Sequence, residues 1–417
     1  MIMNSLPLTN SRFDIDAIRR QFPILRESPE AVPLHYLDSA STAQIPQLVV
    51  EALVEHELHN RANVQRGAYR LADRATDAYQ SARHTAARYI NAADADEVVF
   101  TAGTTAALNL LACCLGADLQ PGDEILLSEL EHHSNLLPWR EMAKLRGAVV
   151  RYIPVKADGR LDLSALPALL STRTRIVSVS HCSNVTGVIT DVDSIVAAAR
   201  SVEALVVLDG AQFAPHGPFD VQALGVDFYA FSGHKCYGPN AVGVLWGRRD
   251  RWQNLPPYMT GGGMVDRVEA ESQSYASGPR RFEAGTPPIA QAVGLAAALD
   301  WLMALPWVEI EQHTDALLER LYRGLSNIPQ VQLISPDSGA DRHPVVSFQI
   351  PGIHAHDLSH VLNERGVAVR GGAHCAELLM QALGCDTTIR ASIGVYNNEQ
   401  DIDQLIAGVG DAVRILG

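Results

Sequence analysis

From about residue 31 to residue 290 the chain alternates short, almost wholly apolar runs with longer helix-like stretches. The runs fall at 97–100, 124–128, 149–153, 176–180, 205–208, 228–231 and 242–246. An unbroken apolar run of this length reads as a strand buried on both faces. Helical segments between such strands are the crossovers that a parallel sheet requires. The expectation is an α/β fold, with a mainly parallel, seven-stranded sheet in a large domain spanning 31–290.

The remainder is organised differently. Helical stretches at 290–305 and 308–325, separated by Pro306, lead out of the first unit. Shorter strand-like runs follow at 345–350, 367–370 and 388–392. A final helix opens at Asn398-Glu399 and repeats Ile402, Leu405, Ile406, Val409 and Val413 at helical spacing. This pattern reads as a smaller α+β domain over 291–417, with an amphipathic N-terminal segment, 1–30, packing on it.

Composition excludes several classes. The chain has 417 residues and a formal net charge of −14, which argues against a nucleic-acid partner. No apolar run approaches the roughly 18–20 residues that span a bilayer, so no membrane association is expected. The start, Met1 to Asp16, lacks a basic stretch followed by an apolar core, so a secretory signal is not expected. The six cysteines, at 113, 114, 182, 236, 375 and 385, show no metal-site spacing; a reduced, cytoplasmic setting and no metal centre are expected.

The residues that bear chemistry gather where strands end. Asp209 closes the run 205–208, and Lys235 follows the run 228–231 in the turn Ser232-Gly233-His234-Lys235. A lysine and an acid delivered by neighbouring strands suit pyridoxal phosphate (PLP): the lysine forms a Schiff base with the aldehyde, and the carboxylate keeps the pyridine nitrogen protonated. Gly103-Thr104-Thr105, between a strand and a helix start, offers N–H groups and hydroxyls to a phosphate, or is a plain helix cap. Ser232 and His234 add donors. His132, in Glu131-His132-His133, either stacks on an aromatic ring or is an ordinary loop histidine. Asn184, in Ser183-Asn184-Val185-Thr186-Gly187, lies in a turn-rich stretch. In Arg370-Gly371-Gly372-Ala373-His374-Cys375-Ala376, a charged His374 would favour the Cys375 thiolate; the alternative is an inert buried cysteine. Arg390 either grips a substrate carboxylate or forms a surface ion pair.

The order of these motifs resembles the class V, fold type I PLP enzymes, and within them the cysteine desulfurases of the SufS and CsdA branch. Tyr36-Leu37-Asp38-Ser39-Ala40, Glu131 to Asn135 with Pro138-Trp139, Ser183 to Gly187, Asp209 to Gln212, Asp227 to Gly238, Arg281 to Pro287 and Arg370 to Ala376 carry the resemblance over nearly the whole chain. It implies a homodimer that takes L-cysteine to L-alanine and passes sulfur to an acceptor protein of the SufE, CsdE or SufU kind, in iron–sulfur cluster assembly or a related pathway. By the resemblance, Lys235 holds the cofactor and removes the Cα proton, Asp209 pairs with the pyridine nitrogen, Gln212 approaches the ring hydroxyl and His132 stacks on the ring. Thr104, Thr105, Ser232 and His234 bind the phosphate, and Thr286 reaches the phosphate of the partner subunit. Asn184, Arg370 and Arg390 hold the substrate, and Cys375 is the nucleophile that becomes a persulfide.

Some positions depart from the branch pattern. Val64-Gln65-Arg66-Gly67 has Gln65 where histidine is usual, Ala106 replaces a glutamate, Ala373 stands where the branch has His or Gln, and Pro288 replaces an asparagine. The loop also lacks the proline two residues after Ala376. These changes keep open selenocysteine lysis, or another PLP-dependent elimination or epimerisation, on the same scaffold. A non-catalytic binding protein is the third reading.

Overall fold

The computed structural model describes residues 13–26, 32–65, 67–253, 255–337 and 341–417. Residues 1–12 and 27–30 of the N-terminal segment, and Arg66, lie outside the described residues. The seven apolar runs form one sheet: β1 (Val98–Thr101), β2 (Glu124–Ser128), β3 (Val149–Ile153), β4 (Thr174–Ser180), β5 (Leu205–Asp209), β6 (Phe228–Ser232) and β7 (Gly243–Gly247). Their spatial order is β1-β7-β6-β5-β4-β2-β3. β2 through β6 pair in parallel with their neighbours. β7 is antiparallel to both β6 and β1, so it alone is reversed. The cause is chain length: residues 233–242 joining β6 to β7 are fewer than the dozen or so that a parallel crossover needs.

Both sheet faces are buried, and successive residues supply opposite cores. Val98, Phe100, Leu126, Val206, Leu208, Tyr229, Phe231 and Val244 belong to one apolar cluster. Val99, Ile125, Leu127, Val207, Ala230 and Leu245 belong to the other. Helices α1 (Gln47–His59) and α2 (Arg70–Tyr89) have no counterpart in the sequence reading. Every aliphatic residue that α2 buries is an alanine, beside Tyr79 and Tyr89; the helix with a faint apolar period is α1. α3 (Thr104–Gly116), α4 (Leu137–Arg146) and α5 (Val192–Arg200) follow the expected positions, as do α6 (Ile289–Met303) and α7 (Trp307–Ser326).

The C-terminal part adds β8 (Gln332–Leu333), β9 (Val345–Gln349), α8 (Ala355–Asn363), β10 (Arg370–Gly372), β11 (Thr388–Ser392) and α9 (Glu399–Leu416). Its antiparallel sheet has the order β8-β9-β11-β10. The strand expected over 367–370 is divided. Val367-Ala368 pairs in parallel with His35-Tyr36, and Arg370 opens β10. The stretch that includes Asp38 and Ser41 thereby lies against the C-terminal sheet. Asp401 fixes the same region: its buried carboxylate accepts from Arg19 Nη1 at 2.8 Å and Asn397 Nδ2 at 2.9 Å, and contacts His35 Nδ1 at 2.8 Å.

Among the described residues no single helix is long and apolar enough to cross a membrane. α6 and α7 pass that test only as a pair, bent by 86°, and both contribute buried residues to the protein's cores.

One buried ion pair anchors the segment between β7 and α6. Glu283 Oε1 accepts from Arg83 Nη1 and Phe100 N, each at 2.7 Å, while Oε2 accepts from Arg83 Nη2 at 2.8 Å and Tyr79 Oη at 3.0 Å. Removing the Glu283 charge leaves the Arg83 guanidinium, with 2% of its side chain exposed, without its counter-ion. Glu283→Gln is therefore expected to lower the unfolding free energy by about 3–5 kcal/mol in urea titrations. A loss under about 1 kcal/mol, typical of surface pairs, contradicts the assignment.

Candidate active site

Five parallel strands, β1, β2, β4, β5 and β6, end at one edge of the sheet, where open α/β sheets bind ligands. A cleft of about 740 Å³ lies there. Thr104, Thr105, His132, Asn184, Asp209, Gln212, Ser232, His234, Lys235, Arg370 and Arg390 all line it. Residues far apart in sequence thus converge because each follows a strand of the same polarity.

Lys235 follows β6. Among the described residues its amine has no hydrogen bond and no ion pair. Burial pulls its pKa down to about 8; Arg390 and Arg370 act in the same direction, against the opposing pull of Asp209. Asp209 ends β5. Its Oδ1 accepts from Ala211 N at 3.0 Å, and Oδ2 has no hydrogen-bond partner among the described residues. Burial raises the Asp209 pKa. The turn after Asp209 requires glycine: a Cβ on Gly210 would sit 2.0 Å from the Tyr229 ring. Tyr229 Oη in turn contacts His181 Nδ1 at 2.9 Å, beneath the same turn. Gln212 reaches across to donate to Ala40 O at 2.8 Å.

The start of α3 is open to an anion. Gly103 caps it at φ 136° with no side chain to offer, and Thr104 and Thr105 of the first turn line the cleft. Thr104 N donates to Ser232 Oγ at 2.9 Å, and the Thr104 and Ser232 hydroxyls lie 2.7 Å apart. Thr105 Oγ1 meets Ser134 Oγ at 2.7 Å, and His234 Nδ1 meets Thr42 Oγ1 at 3.2 Å.

The loop bearing His132 is more than a polar turn. Glu131 is fully buried, and its carboxylate accepts from Ser128 Oγ, Ser180 N, Ser180 Oγ and Asn135 Nδ2. Asn135 Oδ1 accepts in turn from Trp139 Nε1 at 3.0 Å and Ser178 Oγ at 2.6 Å. Burial pushes the Glu131 pKa up to about 7 against these donors. Ser134 N donates to His132 Nδ1 at 3.1 Å, and the Ser134 hydroxyl lies 3.1 Å from the same nitrogen, so the turn holds a ring that lines the cleft. Burial, with Lys235 and His133 nearby, pulls the His132 pKa down to about 3, so the ring is neutral.

The C-terminal sheet supplies the opposite wall. Arg390, 2% exposed, donates to Asn184 O at 3.0 Å, Asp38 Oδ1 at 3.1 Å and Ser41 Oγ at 2.7 Å. It is not a surface ion pair. Arg370 donates to the same Ser41 hydroxyl at 3.0 Å. Sequence reasoning passed over Ser41; nothing in a lone serine marks it as the bridge between two arginines. Cys182 and Ser180, on the cleft wall, carried no signal either.

Cys375 is half-buried on a pinned loop; it is not itself among the residues that line the cleft, although its neighbour His374 is. His133 N–H donates to Cys375 O at 2.8 Å, Asn184 Nδ2 donates to His374 O at 2.8 Å, and His133 contacts Glu377. One donor of Asn184 is thus engaged with the loop rather than left wholly to a substrate. The condition under which His374 would favour the Cys375 thiolate, a charged ring, is not met: burial, with Arg390 and Arg370 nearby, pulls it down to about 3, so it is neutral. The positive groups around the site are Lys235, Arg370 and Arg390.

Thr286 stands apart. It borders a second cleft, of about 650 Å³, with Gln65, Gly263, Arg280 and Glu283. Gln65 occupies the left-handed region at φ 72°, its N–H on Thr76 Oγ1 at 2.9 Å. Ala106 borders an apolar cavity with Leu110, Tyr258 and Pro288. Among the described residues no group of three or more His, Cys, Asp or Glu side chains is arranged to hold a metal ion.

The family model for aminotransferase class-V matches residues 35–405. The chain belongs to the class-V aminotransferase family. Within it, the chain is 42% identical to a cysteine desulfurase of Pectobacterium carotovorum subsp. carotovorum over 407 residues, 97% of this chain and 99% of that protein. It is 45% identical to a probable cysteine desulfurase 2 of Mycobacterium leprae, over 97% of this chain and 98% of the relative. Among solved structures, the cysteine desulfurase CsdA of Escherichia coli superposes with a TM-score of 0.90 at 38% identity, over 98% of this chain and all of that one. The apo cysteine desulfurase of Thermococcus onnurineus NA1 gives 0.92 at 36% identity, over 97% and 100%. The class-V assignment agrees with the mainly parallel sheet and with the lysine–acid pair at its edge.

The lowered Lys235 pKa has a direct consequence. The amine becomes a free base above about pH 8 instead of near its ordinary 10.5. Aldehyde capture by cofactor-free protein, trapped with borohydride and located by mass spectrometry, is expected to rise through a midpoint near pH 8. A midpoint near 10.5 contradicts the burial argument.

Proposed function

We propose that the protein is a PLP-dependent cysteine desulfurase that converts L-cysteine to L-alanine and holds the sulfur as a persulfide on Cys375. The observation that carries the reading is the shared cleft. An unpaired Lys235 and a buried, half-unpaired Asp209 face it, and the Cys375 loop is pinned to its rim.

The residues present fit pyridoxal phosphate. A buried carboxylate with one unpartnered oxygen suits a protonated ring nitrogen, and the uncapped start of α3 suits a phosphate. PLP supplies an aldehyde for amines and a ring that accepts the charge left when the Cα proton departs. In this reading Thr104, Thr105, Ser232 and His234 bind the phosphate, Gln212 binds the ring hydroxyl, and the neutral His132 covers the ring. Lys235 Nζ carries the Cα proton. Arg390, with Arg370 and Asn184, orients the substrate carboxylate through bidentate hydrogen bonding. Cys375 Sγ attacks the substrate sulfur. The substrate Cβ–S bond breaks, an S–S bond forms, and the thiol proton of Cys375 ends on the alanine methyl carbon. Atoms and electrons balance without an added oxidant or reductant.

The same reading divides the chain into a large cofactor unit, 31–290, and a small unit, 291–417, with Cys375 carried by the latter. We take the working form to be a homodimer in a cytoplasmic setting. Its support is an exposed apolar row on α1, Val50, Val54 and Leu58, and the location of Thr286 away from its own chain's cleft, where it would serve the partner's phosphate. The sulfur then passes to the thiol of an acceptor protein.

Mass spectrometry of protein treated with L-cysteine is expected to show an added mass of about 32 Da, roughly one sulfur atom, on Cys375. Cys375→Ala is expected to lose the adduct and Lys235→Ala to lose alanine formation. Full sulfide release by Cys375→Ala would overturn the persulfide.

A further inference from the structure

His374 and Cys375 are consecutive non-glycine residues in the left-handed region, each at φ 55°. L side chains rarely adopt that conformation, and it persists only where the surroundings over-determine it. The preceding Gly371-Gly372 closes β10, where the two residues pair with Ile389 and Thr388 of β11. Two of the restraints are the backbone contacts from Asn184 and His133. The third comes through a side chain: His374 Nε2 meets Thr388 Oγ1 at 2.8 Å. The Thr388 backbone also bears on the ring, so both groups of this one residue hold it, while Nδ1 has no hydrogen-bond partner among the described residues.

Thr388 is fully buried on β11, two residues before Arg390. Alternate strand residues share a face, so Thr388 and Arg390 face the same way. The strand that carries the carboxylate-binding arginine therefore also holds the ring next to the nucleophile. We propose that Thr388 is a positioning residue: through the His374 ring it sets the turn that aims Cys375 at the substrate sulfur. Substrate grip and nucleophile placement then rest on one rigid strand.

For its effect on turnover the proposal rests on the desulfurase reading; its effect on the loop does not. Two measurements separate them. In the holoenzyme, the rate of iodoacetamide labelling is followed at Cys375 and, as an internal reference, at the half-buried Cys113. Thr388→Val keeps the branched shape and removes the hydroxyl. It is expected to speed labelling of Cys375 roughly threefold to tenfold, the loss of about one hydrogen bond's restraint, with Cys113 unchanged. Thr388→Ser restores the slow rate. With L-cysteine, Thr388→Val is expected to lower kcat by a similar factor at unchanged KM. Unchanged labelling of Cys375 overturns the proposal, and so does equal acceleration at Cys113, which marks general loosening. Altered labelling in a protein that forms no alanine overturns the desulfurase reading and leaves the positioning of the loop standing.

Discussion

The common polarity of the strands is the constraint on which the site depends. β1, β2, β4, β5 and β6 all run to the same edge, so every loop that follows them opens into one cleft. Gly103, His132, Asn184, Asp209 and Lys235 come from five different loops and still meet. The single reversed strand, β7, does not disturb this. It lies between β6 and β1 and sends the chain back from the site after a short connection. Burial on both faces keeps the edge rigid, because each strand is fixed by apolar contacts above and below.

Burial also sets the chemistry. Taking Lys235 out of water makes its amine neutral at a lower pH, and taking His132 out of water keeps its ring uncharged. Asp209 feels the opposite pressure and retains an unpaired oxygen. A fully polar-satisfied pocket would be inert. Here the unpaired groups face the cavity, and the satisfied ones, such as Glu131 with its four donors, lie behind and hold the loops. The C-terminal sheet completes the arrangement by presenting Arg390 and the Cys375 loop to the open side.

Much of this was legible in the sequence for a physical reason. Strands buried on both faces are written as continuous apolar runs, so six were visible for that reason, while the edge strand β3, half-exposed and interrupted by Arg151, was read from its β-branched and aromatic residues; the chemistry-bearing residues stood at the strand ends. α1 was not visible because its apolar residues mark no strong face, and α2 was passed over although its faces separate, because the face it buries is built from alanines, Tyr79 and Tyr89 rather than large aliphatic residues. The split at Val369 was not visible either, since strand pairing with His35-Tyr36 is a long-range choice. The sequence left the charge of His374 open; burial decides that it is neutral. Ser41 and Thr388 act through hydrogen bonds set by tertiary packing, which no local pattern records.

The central claim is that one cleft joins the lysine that handles the Cα proton to the cysteine that takes the sulfur. A single-turnover measurement addresses it most directly: holoenzyme mixed with L-cysteine, without reductant or acceptor, with alanine quantified per chain. The account predicts a fast burst of about one alanine per Cys375, then a slower phase set by discharge of the persulfide onto the thiol of excess L-cysteine and sped by an added reductant. Alanine release with no burst and no response to reductant, or none at all, would contradict it.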